Sequence, residues 1–142
     1  MAAKPPVMSP SDQPVAEILA RAAGPRRAEA DELLALLGEI SGEKRVVWAG
    51  RIIGFGDHEY RYESGHGGHA PVLAFAPGPA EHTIYLVNDF SERWPELMAR
   101  LGNHRASKAC LYLTRLTEVD RSALRELLEH SLAETRSPGR QA

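Results

Sequence analysis

The chain has 142 residues, with 17 Lys and Arg against 19 Asp and Glu, which gives a formal net charge of −2 when the histidines are neutral. Its 43% hydrophobic and 25% charged residues are ordinary for a folded domain, and the lack of a basic excess argues against a dedicated nucleic-acid binder. The single cysteine excludes an internal disulfide, and no apolar run approaches the roughly 18 to 20 residues of a membrane-spanning helix. The first residues lack the apolar core of a secretion signal. We therefore expect a cytoplasmic protein without a membrane partner.

The two chain ends are predicted to be disordered. Residues 1–11 hold three of the ten prolines, and residues 137–142 read SPGRQA. Between them we predict one domain over residues 12–136, a length that suits one hydrophobic core.

Two helices are predicted at the start of this domain. The first carries apolar residues at positions i, i+3, i+4 and i+7, the spacing of one helical face; they are Val15, Ile18, Leu19 and Ala22. The second starts at Pro25, a favourable first-turn residue, and ends at Ser41 and Gly42. Its buried stripe is formed by Ala30, Leu33, Leu37 and Ile40.

The middle of the chain is rich in β-branched and aromatic residues separated by short Gly, Pro and Asp segments. This pattern predicts successive antiparallel strands. They cover residues 45–55, 59–64, 72–75, 82–88 and 109–113.

Two further helices complete the predicted fold. A short one covers residues 95–101 and is closed by Gly102. The last is capped by Asp120, with a stripe of leucines at 124, 127, 128 and 132. The predicted class is α+β: one small domain with a curved antiparallel sheet of about four to five strands and helices on one face.

Several runs of the sequence are similar to a known family. They are VVWAGRIIGFG, YRYESG, AFAP, IYLV, ARLGNHRASKACLYLTRL and EVDRSALREL. In this order and spacing they resemble the YdhG-like bacterial domain of unknown function, over about residues 15 to 132. The resemblance implies a small α+β domain with a curved antiparallel sheet. One branch of that family is described as a frataxin-like intracellular iron chaperone, which implies iron handling.

The chain departs from the family pattern in two predicted hairpins. Typical members carry Arg-Glu-Gly-Asp where this chain has residues 66–69 (HGGH), and Pro-Arg-Lys where it has residues 77–79 (PGP). His58 also replaces an aromatic residue of the Gly-Phe-Gly block. Because these charged positions are missing together, any ionic ligand that they hold in the family is in doubt for this chain.

The stretch GFGDHEYRYESGHGGHAP, residues 54–71, admits three interpretations. His58, His66 and His69 are donor types of a transition-metal site. The glycines suit a phosphate loop, although no helix is predicted to follow them. We favour the third interpretation, a tight hairpin that the histidines decorate, because a glycine-rich turn is a poor platform for converging ligands.

An acidic face is predicted on the second helix. Glu29, Glu32 and Glu39 lie within roughly 80° of one another on a helical wheel. Carboxylates are hard oxygen ligands that hold a ferrous ion weakly, so these three residues are the candidate ligands for Fe(II). The alternative is a solvated surface of an amphipathic helix.

Aromatic residues concentrate on the predicted strands, and we predict that they turn to a common side of the sheet. There they line a ligand pocket or form the core under the helices. The six candidate pocket residues are Trp48, Phe55, Tyr60, Tyr62, Phe75 and Tyr85. Cys110 is expected to be a buried, inert thiol inside an apolar strand.

No assembled active site is recognisable in the sequence. The leading hypothesis is a non-enzymatic cytoplasmic binding module for a small ligand or a metal ion. The alternatives are a small-molecule enzyme with a Tyr or His proton donor in an aromatic-lined pocket, and a homodimeric interaction domain. A monomer and a homodimer both stay open.

Overall fold

The structure, a computed structural model, describes residues 10–61 and 67–136, with the backbone alone for Tyr60 and Arg61. Most of the predicted disordered arm and all of the predicted tail lie outside these ranges, and so do Tyr62 and His66. None of the helices in the described ranges combines the length and the apolar character that a bilayer crossing requires.

Five α-helices lie in the described part of the chain. They are α1 (Val15–Leu19), α2 (Pro25–Ser41), α3 (Phe90–Arg93), α4 (Pro95–Leu101) and α5 (Arg121–Arg136), with a 3-10 turn at Leu116–Glu118. The predicted bounds of α2 and α4 are confirmed, and Asp120 caps α5 by accepting a hydrogen bond from the Ala123 amide at 3.1 Å. Helix α3 was not predicted, because four residues are too few to show a helical period.

Within the described residues, one antiparallel sheet of seven strands forms the centre of the domain. The strands are β1 (Pro10–Ser11), β2 (Arg45–Trp48), β3 (Ile52–Phe55), β6 (Leu73–Ala76), β7 (His82–Tyr85), β8 (Arg105–Ala106) and β9 (Cys110–Leu113), in the spatial order β1-β2-β3-β6-β7-β9-β8. The α+β class is confirmed, but the predicted four to five strands are too few. The two edge strands, β1 and β8, have two residues each and are too short to show an alternating pattern.

The predicted strand 45–55 is two strands joined by a tight turn. The turn residues Ala49 and Gly50 have φ angles of 55° and 72°, the left-handed values that a type I′ hairpin turn requires. Next along the chain, β4 (His58–Arg61) and β5 (Gly67–Ala70) pair as a separate two-stranded hairpin outside the sheet. The aromatic segment near residue 60 therefore leaves the sheet instead of extending it.

The main core lies between one face of the sheet and the helices. Paired residues of neighbouring antiparallel strands point to the same face, and the register aligns Val47 with Ile53, Ile53 with Phe75, and Phe75 with Ile84. These side chains are buried in one cluster with apolar residues of α1, α2, α4 and α5. We call this side of the sheet the helix face.

The opposite side, which we call the far face, carries the alternate residues of the same strands. Trp48, Ile52 and Ala74 form a second buried cluster there, with Tyr85 partly buried against it. Gly54 makes room for the indole, because a Cβ on Gly54 would lie 2.5 Å from Trp48 Cδ1 and 2.7 Å from Pro71 Cβ. The sheet is therefore apolar on both sides at its centre.

Candidate functional site

The predicted pocket aromatics do not share one face. Phe55 and Phe75 lie in the main core and are 1% and 0% exposed, whereas Trp48 and Tyr85 lie on the far face. The prediction of a common face is wrong because side chains alternate along a strand: Trp48 pairs with Ile52, and Phe55 is three residues beyond Ile52. Only the backbone of Tyr60 is described, and Tyr62 lies outside the described residues.

The three predicted metal-binding glutamates are each paired with an arginine. Glu32 accepts hydrogen bonds of 2.9 and 3.0 Å from Arg121, and Glu39 accepts one of 2.9 Å from Arg125. These pairs form a seam between α2 and α5. In residues 10–61 and 67–136, no group of three or more His, Cys, Asp or Glu side chains is arranged to hold a metal ion.

Glu29 belongs to a buried polar cluster instead of the acidic surface. Its side chain is 8% exposed, and its two oxygens lie 3.1 Å from His82 Nε2 and 2.9 Å from Arg115 Nε. Burial opposes the ionisation of Glu29, but the hydrogen bonds from His82 and Arg115 outweigh it, so the pKa of Glu29 lies below its ordinary value. Glu29 is therefore a buried carboxylate that already has its partners.

His82 is neutral in this cluster. The ring is fully buried, and burial lowers the pKa of His82 despite the neighbouring Glu29 carboxylate. In the neutral ring Nε2–H donates to Glu29, while Nδ1 has no hydrogen-bond partner among the described residues. Sequence reasoning missed His82, although its alternation with the buried Ile84 in β7 placed it on the helix face.

Two histidines of the glycine-rich stretch lie near the base of the hairpin. His69 Nδ1 is 2.7 Å from Asp57 Oδ1, and both side chains are more than half exposed. His58 borders a cleft between the hairpin, the end of β7 and α5. The described histidines therefore share no metal site.

The cleft that His58 borders, which we call the hairpin cleft, has a volume of about 400 Å³. It lies between the base of the β4–β5 hairpin, the end of β7 and the last turns of α5. Its lining residues are His58, Ala70, Pro71, Val72, Ala74, Tyr85, Leu86, Val87, Asn88, Arg93, Ser131, Glu134 and Thr135. An ion pair of 2.7 Å between Arg93 and Glu134 lies in its wall and neutralises both charges.

A second cleft, which we call the arginine cleft, lies beside the first and also has a volume of about 400 Å³. It is lined by Arg21, Arg51, Thr83, Tyr85 and residues 76–81. The two clefts meet on the far face, where Ala74 pairs with Tyr85 and Ala76 pairs with Thr83. From there the hairpin cleft extends past the end of β7 to α5. Tyr85 lines both of them.

Of the described candidate pocket residues, Tyr85 is the partly exposed one that lines a cleft. Burial raises the pKa of Tyr85, the adjacent Cys110 adds to this effect, and the positive charge of Arg51 partly offsets it. The phenol stays protonated at neutral pH and can donate or accept a hydrogen bond. Cys110 pairs with Tyr85 in the register and is half-buried, so its thiol is less buried than the sequence predicted.

Comparison of the chain with known protein families, with curated proteins and with solved structures returned no match.

Proposed function

We propose that this chain is a non-enzymatic binding module for a small organic molecule, which binds on the far face of the sheet around Tyr85. The observation that carries the proposal is the position of Tyr85: one half-buried ring lines two adjacent clefts of about 400 Å³ each. Small-molecule sites are concave, have volumes of about 300 to 1,000 Å³ and combine apolar walls with a few polar groups. Tyr85 offers an aromatic surface and a hydroxyl at the same position.

The walls of the hairpin cleft suit the apolar part of a ligand. Pro71, Val72 and Leu86 provide apolar surface, and Asn88 and Tyr85 provide hydrogen-bonding groups in the same lining. The nearest ion pair, between Arg93 and Glu134, is internally neutral. A largely uncharged aromatic or aliphatic group can therefore bind here without leaving a buried charge unpaired.

Binding is favoured over catalysis by the positions of the titratable groups. His82 and Glu29, whose pKa values are shifted by burial and by each other, are buried on the helix face and line neither cleft. Tyr85 has a raised pKa, which makes its phenol a poor general base near neutral pH. We do not extend the proposal to iron, because Glu29, Glu32 and Glu39 are each held by an arginine.

The test is a fragment titration followed by amide and side-chain chemical shifts. Phenol and indole, added at millimolar concentration to the full chain, are expected to shift the signals of Tyr85, Asn88 and Thr135. Ala70→Trp fills the hairpin cleft from β5 and is expected to abolish these shifts. Ala106→Trp, on the exposed edge strand β8, is the matched control and leaves them in place.

The outcomes separate cleanly. A native-like spectrum of Ala70→Trp without fragment-induced shifts supports the proposal. Wild-type protein that shows no shifts at these three residues, or shifts that persist in Ala70→Trp, overturns it.

A further inference from the structure

We propose that the ligand of the far face carries an anionic group, a phosphate or a carboxylate, and that the arginine cleft binds this group through Arg51 and Arg21. This inference rests on the proposed function, because it adds the class of ligand to the same site. It is carried by the distribution of charge around the cleft.

Arg21 and Arg51 differ from most arginines of the molecule. Eight other arginines with described side chains each pair with a carboxylate within 4.0 Å. Within residues 10–61 and 67–136, neither Arg21 nor Arg51 forms an ion pair, and both line one cleft. A chain with a net charge of −2 thus has two guanidinium groups without a carboxylate partner in the same cleft.

Among the described residues that line this cleft, one carboxylate is present, and it is already engaged. Glu81 accepts two hydrogen bonds from Arg105, of 2.9 and 3.1 Å. Arg105 in turn lies over the ring of Tyr112, 4.3 Å from its centroid. Glu81 is therefore neutralised from outside the cleft and does not compensate the charges of Arg21 and Arg51.

Most of the donors of both arginines are unused. Arg21 donates to the Gly50 carbonyl at 3.1 Å, and Arg51 lies close enough to Tyr85 for its positive charge to oppose the rise in the pKa of the phenol. A guanidinium group has five N–H donors, so each side chain keeps donors for an oxyanion. Holding the Arg21 side chain in advance lowers the entropy that is lost when a ligand binds.

The remaining walls fit a compact anion. Thr83 and Tyr85 contribute hydroxyl groups that complete the donor set. On the opposite side, Gly78 packs closely against the backbone of Glu81: a Cβ on Gly78 would lie 3.0 Å from the Glu81 carbonyl oxygen. This close approach, with Pro77 and Pro79 on either side of Gly78, limits the freedom of the loop.

The shared residue Tyr85 links the two clefts into one site. A molecule with its anionic group at Arg51 reaches the hairpin cleft by passing over Tyr85, whose ring offers a stacking surface. The geometry thus fits an aromatic or heterocyclic phosphate or carboxylate, with the charged end held by arginines and the ring end held by apolar walls. Because both arginines are exposed, binding is expected to weaken as the salt concentration rises.

The experiment compares phenol, phenyl phosphate and benzoate by titration calorimetry and chemical-shift mapping on the full chain. The two anions are expected to bind wild type at least about tenfold more tightly than phenol does, a ratio that corresponds to about 1.4 kcal/mol. Arg51→Gln removes that advantage, Arg21→Gln reduces it, and Arg51→Lys retains part of it. Raising sodium chloride from 20 to 200 mM weakens the anions and leaves phenol unchanged.

Arg45→Gln is the matched control, because Arg45 is an exposed strand arginine outside the cleft whose loss changes the net charge by the same amount. It is expected to leave all three affinities unchanged. Equal affinities for phenol and the two anions, or an anion advantage that survives Arg51→Gln, overturn this inference while the binding site stands. If phenol and the anions all fail to shift Tyr85, the proposed function falls, and the inference falls with it.

Discussion

At the scale of single residues, the cluster around Glu29 places a charged carboxylate in the interior of the domain. A carboxylate with 8% exposure is held between a neutral imidazole and a guanidinium group. Removing one member of a buried pair leaves the others without partners, and this costs far more than losing a pair that water surrounds. Two glutamates of the same helix, Glu29 and Glu32, therefore differ in energetic weight although both pair with an arginine.

Glu29→Ala is expected to lower the free energy of unfolding at pH 7 by about 3 kcal/mol, because Arg115 and His82 lose the carboxylate that satisfies them. The matched control is Glu32→Ala, whose ion pair with Arg121 is 44% exposed on both sides. It is expected to cost less than about 1 kcal/mol. Urea unfolding at constant slope measures both values. Equal losses in the two variants would contradict the description of Glu29 as a buried, coupled group.

His82 should make stability depend on pH below its ordinary pKa of 6.5. Burial lowers the pKa of His82 in the folded chain, so between the two pKa values the unfolded chain binds more protons than the folded one. The contribution of neutral His82 to the free energy of unfolding is fully present above pH 6.5. It is lost as the pH falls toward the pKa of the folded chain, with a limiting slope of about 1.4 kcal/mol per pH unit.

His82→Gln is the test of this pH dependence. Glutamine keeps an amide N–H for Glu29 and does not titrate. The stability of wild type is expected to fall more steeply than that of His82→Gln between pH 7 and pH 5, as measured by urea unfolding. Working at or above pH 5 keeps Glu29 ionised. The pKa of Glu29 is lowered in the folded chain, so the contribution of Glu29 to the free energy of unfolding is lost only below about pH 4.5. Parallel curves for the two proteins would rule out the assignment of a lowered pKa to His82.

At the scale of elements, β3 shows how a strand is packed on both sides. Its four residues are all buried, which happens because the helices cover one face and Trp48 lies across the other. Gly54 is the residue that permits the second contact. The helical Gly38 has no such constraint, because a Cβ there would lie 3.5 Å from Phe55 Cε2, an ordinary contact distance.

Gly54→Ala and Gly38→Ala are therefore expected to act in opposite directions. The first forces Trp48 or Pro71 to move and is expected to lower the free energy of unfolding by about 1 to 3 kcal/mol, with a change in tryptophan emission. The second removes a flexible residue from the interior of α2 and is expected to raise the free energy of unfolding by about 0.5 to 1 kcal/mol. Thermal and urea unfolding check both. A neutral Gly54→Ala would show that the indole does not need the space above the glycine.

The elements that the sequence predicted well are those with a strong local period. Helices α2 and α4 begin and end where their proline and glycine residues indicate, and α5 begins after Asp120. The sheet was less predictable: β1 and β8 are too short to carry a pattern, and the turn at Ala49 divides a run that looks continuous. A non-glycine residue at positive φ gives no compositional signal, so the β2–β3 hairpin is visible only in the folded chain.

At the scale of the whole molecule, the arrangement of charges follows from the packing of distant segments. Glu32 and Arg121 are 89 positions apart, and Glu29 and Arg115 are 86 positions apart, yet each pair forms where α2 meets α5 or the segment before it. These pairings convert a predicted acidic surface into a neutral seam. Arg21 and Arg51, which line the arginine cleft, form no ion pair within the part of the chain that the structure describes.

The amino-acid sequence by itself determined the α+β class, the one-domain core and the faces of the main helices, because these depend on local propensity and on the spacing of apolar residues. Only the tertiary structure decided which side chains meet. It buried Glu29 and His82 together, placed Phe55 and Trp48 on opposite faces, and brought Tyr85 beside Arg51. The physical reason is that local pattern sets backbone conformation and the direction of a side chain, whereas its partner is set by segments far along the chain that pack against it.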